Sequence, residues 1–102
     1  MKKNNSQKLK ELKGITKIVI PLLKKNGVRK AGIFGSYVRG EQNKESDVDL
    51  LVQLPKGSSL LDLVGLEREL EIMLRKKVDL LTYNGINHRL KGIILKEEVR
   101  II

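Results

Sequence analysis

Gly35-Ser36-Tyr37-Val38-Arg39-Gly40 and, after a short loop, Ser46-Asp47-Val48-Asp49-Leu50-Leu51-Val52 are the residues on which the reading of this chain turns. Ten residues separate Ser36 from Asp47. Side chains alternate along a strand, so Asp47 and Asp49 point to one face and Val48 to the other. Two carboxylates a few ångströms apart repel, and burying them costs several kcal/mol unless something compensates. A divalent cation compensates directly, and magnesium takes carboxylate oxygens together with substrate phosphates. The run Leu50-Leu51-Val52 anchors the pair in a core.

Gly35-Ser36 closes the preceding apolar segment. Glycine lets a backbone approach a phosphate, and Ser36 offers a hydroxyl and an amide. A short helix beginning at Ser36 would add amide donors for an anion. Arg39 lies three residues on, where one helical turn brings it back toward Ser36, to pair with a phosphate or a carboxylate. A third acid, Asp79, sits in the apolar run Lys77-Val78-Asp79-Leu80-Leu81-Thr82. Beside the Asp47/Asp49 strand it completes a three-carboxylate cluster. Such a cluster holds two magnesium ions for in-line phosphoryl transfer, with Asp79 the candidate general base.

The rest of the chain supplies a frame for these residues. Leu9, Leu12, Ile15, Ile18, Val19, Leu22 and Leu23 recur at spacings of three and four, which predicts an amphipathic helix. Asn26-Gly27 ends it, and Pro21 is expected to kink or split it. Strands are expected over 29–35, 47–54 and 77–82. Ser59-Leu60-Leu61-Asp62 is a capping box that opens a helix. Leu63, Leu66, Leu70, Met73 and Leu74 form its buried side; Glu67, Arg68, Glu69 and Glu71 form its solvated side. A further helix is expected over 86–96, with Leu90, Ile93 and Ile94 inward, and an edge strand over 99–102. The fold class is α/β (α+β): a small mixed sheet of about four strands packed with three or four helices.

With 102 residues, the chain reads as one domain, 1–102, with a flexible lead over 1–7. Aromatics make up 3%, so the core rests on Leu, Ile and Val, and the absence of cysteine excludes disulfides and thiolate metal sites. No apolar run reaches the roughly 18 residues of a membrane span, and no apolar segment follows the charged start as in a signal peptide. A cytoplasmic protein is therefore expected. The formal net charge of +9 falls entirely on residues 1–30; residues 31–102 are balanced. This basic segment is either a solvated lysine-rich helix or a face for an acidic partner. No aromatic residue interleaves with its lysines, which argues against single-strand binding. Nucleic acid is thus not expected as a direct substrate.

The motif Gly35-Ser36, ten residues, Asp47-Val48-Asp49, with Arg39-Gly40 between, resembles the minimal nucleotidyltransferases of the DNA polymerase β-like superfamily. The resemblance runs from the first helix to the final strand. It implies a nucleotidyltransferase fold, a nucleoside triphosphate bound with Mg2+, and Asp79 as the third acid. The smallest family members resemble antitoxins of two-gene toxin–antitoxin modules whose partner is a HEPN-domain ribonuclease toxin. The implied reaction is transfer of AMP from ATP to a tyrosine hydroxyl of that toxin. Three other readings stay open at this point. One is a catalytically inactive antitoxin acting by contact. Another is a small-molecule nucleotidyltransferase completed by dimerisation. The last is a nucleic-acid binder driven by the basic helix. His88 and Tyr37 are read as a solvent-facing and a core residue. Tyr83-Asn84-Gly85 is read as a turn, and Glu97 and Glu98 as solvated helix-end charges.

Overall fold

The computed structural model describes residues 5–102. A long helix, α1 (Asn5–Lys25), is followed by β1 (Lys30–Phe34), a one-turn helix α2 (Ser36–Arg39) and β2 (Val48–Gln53). Then come α3 (Leu60–Leu74), β3 (Val78–Thr82), a 3₁₀ turn (Tyr83–Gly85), α4 (His88–Glu97) and a short β4 (Val99–Arg100). The strands form one mixed sheet in the order β3-β2-β1-β4. β1 pairs antiparallel with β2 and β4, and β2 pairs parallel with β3. The α/β class, the mixed four-stranded sheet and the four helices agree with expectation. Of the lead expected over 1–7, residues 1–4 lie outside the described residues, and 5–7 belong to α1.

β2 is central, and its sequence explains why. Leu50, Leu51 and Val52 are all fully buried, because the sheet is covered on both faces. Val48, Leu50, Val52, Ala31, Ile33, Val78 and Leu80 meet Val19 and Leu23 of α1 and Leu66 and Leu70 of α3. On the other face, Phe34 and Leu51 pack with Ile86 and Ile94 of the α4 region. The capping box forms as read: Ser59 accepts from the Asp62 amide, and Asp62 accepts from the Ser59 amide. Gly27 takes the left-handed conformation that ends α1, at φ 79°.

Four expectations need correction. α1 runs unbroken through Pro21. Pro21 is exposed, so water can serve the Lys17 carbonyl it leaves unpaired, while buried Val19 and Leu23 on either side hold the helix to the core. Met73 is exposed, because α3 meets the sheet through the narrower stripe of Leu66 and Leu70. Leu90 and Ile93 also face outward; only Ile94 of α4 is buried. Finally, Glu67 and Glu71 are not purely solvated. Their carboxylates accept from the amides of Leu80 and Val78 at 2.9 and 3.0 Å. These bonds serve the outer edge of β3 and close it to further strand pairing.

Candidate active site

The sheet register builds the site. Asp47 immediately precedes β2, and Asp49 is its second residue. Asp49 is level with Asp79 on β3 and with Phe34 on β1. Both aspartates therefore lie on the α4 side of the sheet, opposite Val48, Leu50, Val78 and Leu80. Phe34 is followed by Gly35, so the end of β1 is carried to the same place. At Gly35 the backbone has φ 81° and ψ −155°, a region open in practice only to glycine. A Cβ there would lie 2.1 Å from Oδ2 of Asp49. The carboxylate thus rests directly on the Gly35 backbone.

α2 begins at Ser36, as the motif suggested. Its first amides, those of Ser36 and Tyr37, take no partner among the described residues, and neither does the Ser36 hydroxyl. Tyr37 is buried in the core and His88 is exposed, as read from the sequence. The Gly35 amide is already bonded, at 2.6 Å, to Oε1 of Glu97. Among the described residues, the backbone amides left to meet an anion at this turn are those of Ser36 and Tyr37.

The electrostatics follow from the crowding. Asp49 is pushed up to about 6, first by burial, then by the charge and hydrogen bond of Asp79 and the charge of Asp47; Arg39 opposes the rise. Asp79 is exposed at the sheet edge. Asp47 has Lys77 Nζ at 4.0 Å, an exposed pair of little energetic weight. Arg39 gives Nε to Glu41 at 3.2 Å and Nη1 to both oxygens of Glu97 at 2.9 Å. Burial works to raise the Glu97 carboxyl, and the hydrogen bonds from Arg39 and Gly35 outweigh it and lower it.

Among the described residues, no three His, Cys, Asp or Glu side chains are already drawn together as a metal cage. The donor set nevertheless fits magnesium. It consists of hard oxygens, Asp49 is raised by burial and by its like-charged neighbours, and magnesium keeps waters and phosphates in its shell rather than needing a closed protein cage. Asp47, Asp49 and Asp79 are the residues that could hold it. The cleft of about 750 Å³ lined by Lys30, Gln53, Ser59 and Thr82 lies at the opposite end of the sheet and is not part of this site.

Reading the sequence missed Glu97 and Glu98. Glu97 holds Gly35 and Arg39, and Glu98 accepts a hydrogen bond from the Tyr83 hydroxyl. No local pattern marks either residue: their place follows from the pairing of Val99 with Ile33, which sets the two preceding residues along Phe34 and Gly35.

Known proteins place this geometry in context. Residues 15–101 match the family described as "Nucleotidyltransferase domain". A protein of Methanocaldococcus jannaschii, described as a candidate protein adenylyltransferase, is 53% identical over 86% of this chain and 95% of its own length. The protein adenylyltransferase MntA of Thermococcus cleftensis is 43% identical over 74% of this chain and 76% of its own. A solved structure described as a candidate minimal nucleotidyltransferase superposes with a TM-score of 0.76 at 35% identity, covering 89% of this chain and 93% of that one. A toxin–antitoxin crystal structure with AMP-PNP gives a TM-score of 0.77, covering 85% of this chain and 72% of that one; at 24% identity it speaks to the fold alone. With the Gly-Ser turn, the paired aspartates and these likenesses together, the chain belongs to the nucleotidyltransferase domain family, among its minimal members.

Proposed function

We propose that this nucleotidyltransferase is the antitoxin of a two-gene module and transfers AMP from ATP to a tyrosine hydroxyl of a HEPN-domain ribonuclease toxin. The observation that carries the reading is the contact between Asp49 and Gly35: an acid suited to magnesium lies against the turn suited to a phosphate. Asp47, Asp49 and Asp79 would hold magnesium, which would neutralise charge on the bound triphosphate and on the pyrophosphate that leaves. Ser36, through its hydroxyl and amide, receives a phosphate at the start of α2, and Arg39 pairs with another. The acceptor oxygen attacks the α-phosphorus, the bond from that phosphorus to the bridging oxygen breaks, and pyrophosphate leaves. The hydroxyl proton passes to Asp79, whose exposure at the sheet edge leaves it open to an incoming macromolecule.

A protein acceptor is supported by two further facts. The solved neighbours include a tri-AMPylated HEPN toxin in complex with its MNT antitoxin, from Shewanella oneidensis. The curated relatives are named for protein adenylylation, and this chain spans most of their length. Outward-facing Leu90 and Ile93 on α4 and Leu60 and Leu61 on α3 offer apolar surface for a partner. They also favour a second reading, neutralisation by contact alone. Incubation with α-labelled ATP, magnesium and the neighbouring gene product separates the two. Label on the partner, lost in Asp47→Ala and Asp49→Ala, supports transfer. An intact complex without label, or neutralisation unchanged in both variants, refutes it.

A further inference from the structure

Glu97 has no place in the transfer chemistry, yet it bonds both the Gly-Ser turn and Arg39. Oε1 alone accepts from the Gly35 amide at 2.6 Å and from Arg39 Nη1 at 2.9 Å. Oε2 takes the same Nη1 at 2.9 Å, and Glu41 takes Nε at 3.2 Å. Nη2 carries no hydrogen bond among the described residues. The guanidinium is thus held at Nε and Nη1 and left free at Nη2, and its charge is felt at Asp49. α2 spans only Ser36–Arg39, too little helix to fix a long side chain by its own packing. The grip comes from outside it.

The position of Glu97 is itself fixed. Glu98 lies over Gly32, where a Cβ would come within 2.0 Å of its Oε2, and it accepts from the Tyr83 hydroxyl. Val99 then pairs with Ile33. Three successive residues, Glu97, Glu98 and Val99, therefore dock the end of α4 against β1 and the turn that follows it.

We propose that Glu97 is a positioning residue for nucleotide binding: it fixes the Gly35 backbone and turns Arg39 so that Nη2 faces the phosphates of a nucleoside triphosphate. The proposal rests on the nucleotidyl-transfer reading above. The opposite role, a carboxylate that competes with phosphate for Arg39, makes the opposite prediction.

Three variants separate charge from reach. Glu97→Gln keeps an Oε1 able to accept from both Gly35 and Arg39. Glu97→Asp keeps the charge but is one methylene short. Glu97→Ala loses both. Each is compared with the wild type for binding of a non-hydrolysable ATP analogue with magnesium by titration calorimetry, for KM and kcat of AMP transfer, and for thermal midpoint. The expected result is roughly tenfold weaker binding and higher KM in the Asp and Ala variants, the scale of one misplaced charge-assisted hydrogen bond, with kcat less affected. Glu97→Gln stays within about threefold of wild type, because it keeps the shared acceptor. Tighter binding in any variant overturns the proposal, as does an Asp variant equal to wild type. So does a loss in the Gln variant equal to that in the Ala variant. A wild type that binds no nucleotide instead overturns the underlying functional reading.

Discussion

Replacing Gly35 by alanine tests the contact that defines the site. Two costs add at this position. The backbone, at φ 81° and ψ −155°, lies where a residue with a Cβ is strained by about 1–3 kcal/mol. The new methyl group would also sit 2.1 Å from Asp49 Oδ2, so the carboxylate must retreat by roughly 1 Å to reach even the shortest tolerable contact. A loss near 2 kcal/mol lowers the melting midpoint of a domain of this size by roughly 10 °C. A misplacement of about 1 Å among reacting groups lowers AMP transfer on the order of a hundredfold. The control is Gly14→Ala, in the middle of α1 with no atom of the described residues within 4 Å of the added Cβ. There the same substitution should stabilise by about 0.5–1 kcal/mol and leave transfer unchanged. Both variants are measured by thermal unfolding, and by label transfer at a temperature where each is folded. A Gly35→Ala protein that melts with the wild type and transfers AMP at the wild-type rate would refute the reasoning.

Other consequences concern stability and pH. Asp49 is raised to about 6 in the metal-free fold, above its unfolded value, so its contribution to stability is present at low pH and lost as pH rises through about 6. Denaturation in EDTA at pH 5 and 7.5 should show this decline, Asp49→Asn should flatten it, and a decline equally steep in the variant would contradict the assignment. Glu67→Ala and Glu71→Ala should each cost about 1–2 kcal/mol in urea unfolding by stranding a β3 amide, and should promote self-association measured by light scattering. Ser59→Ala should cost about 1 kcal/mol through loss of the α3 cap, read from the same unfolding curves.

The sequence was most legible where one residue type had one physical solution. A fully apolar Leu50-Leu51-Val52 beginning from paired acids could only be a central strand with its acids at one end. Ser59 and Asp62 announced the start of α3 through a local hydrogen-bond pattern. What stayed hidden depended on partners distant in sequence. Glu67 and Glu71 look solvated on a helical wheel, yet they reach the edge of β3, because α3 packs beside that strand. Leu90, Ile93 and Met73 satisfy a helical period, but a helix resting on a small sheet buries a narrower stripe than its apolar content suggests. Glu97 was unreadable for a stronger reason: its role arises only once β4 returns to β1, and no local pattern encodes that return.

The central claim is that the Gly35-Ser36 turn and the three aspartates together transfer a nucleotidyl group to a protein. Intact-protein mass spectrometry of the HEPN partner, after incubation with this chain, ATP and magnesium, tests it most directly. The account predicts a mass increase of one or more AMP units on a tyrosine, abolished by Asp49→Asn and by EDTA. An unmodified partner in a stable complex, or the same increase with Asp49→Asn, would contradict it.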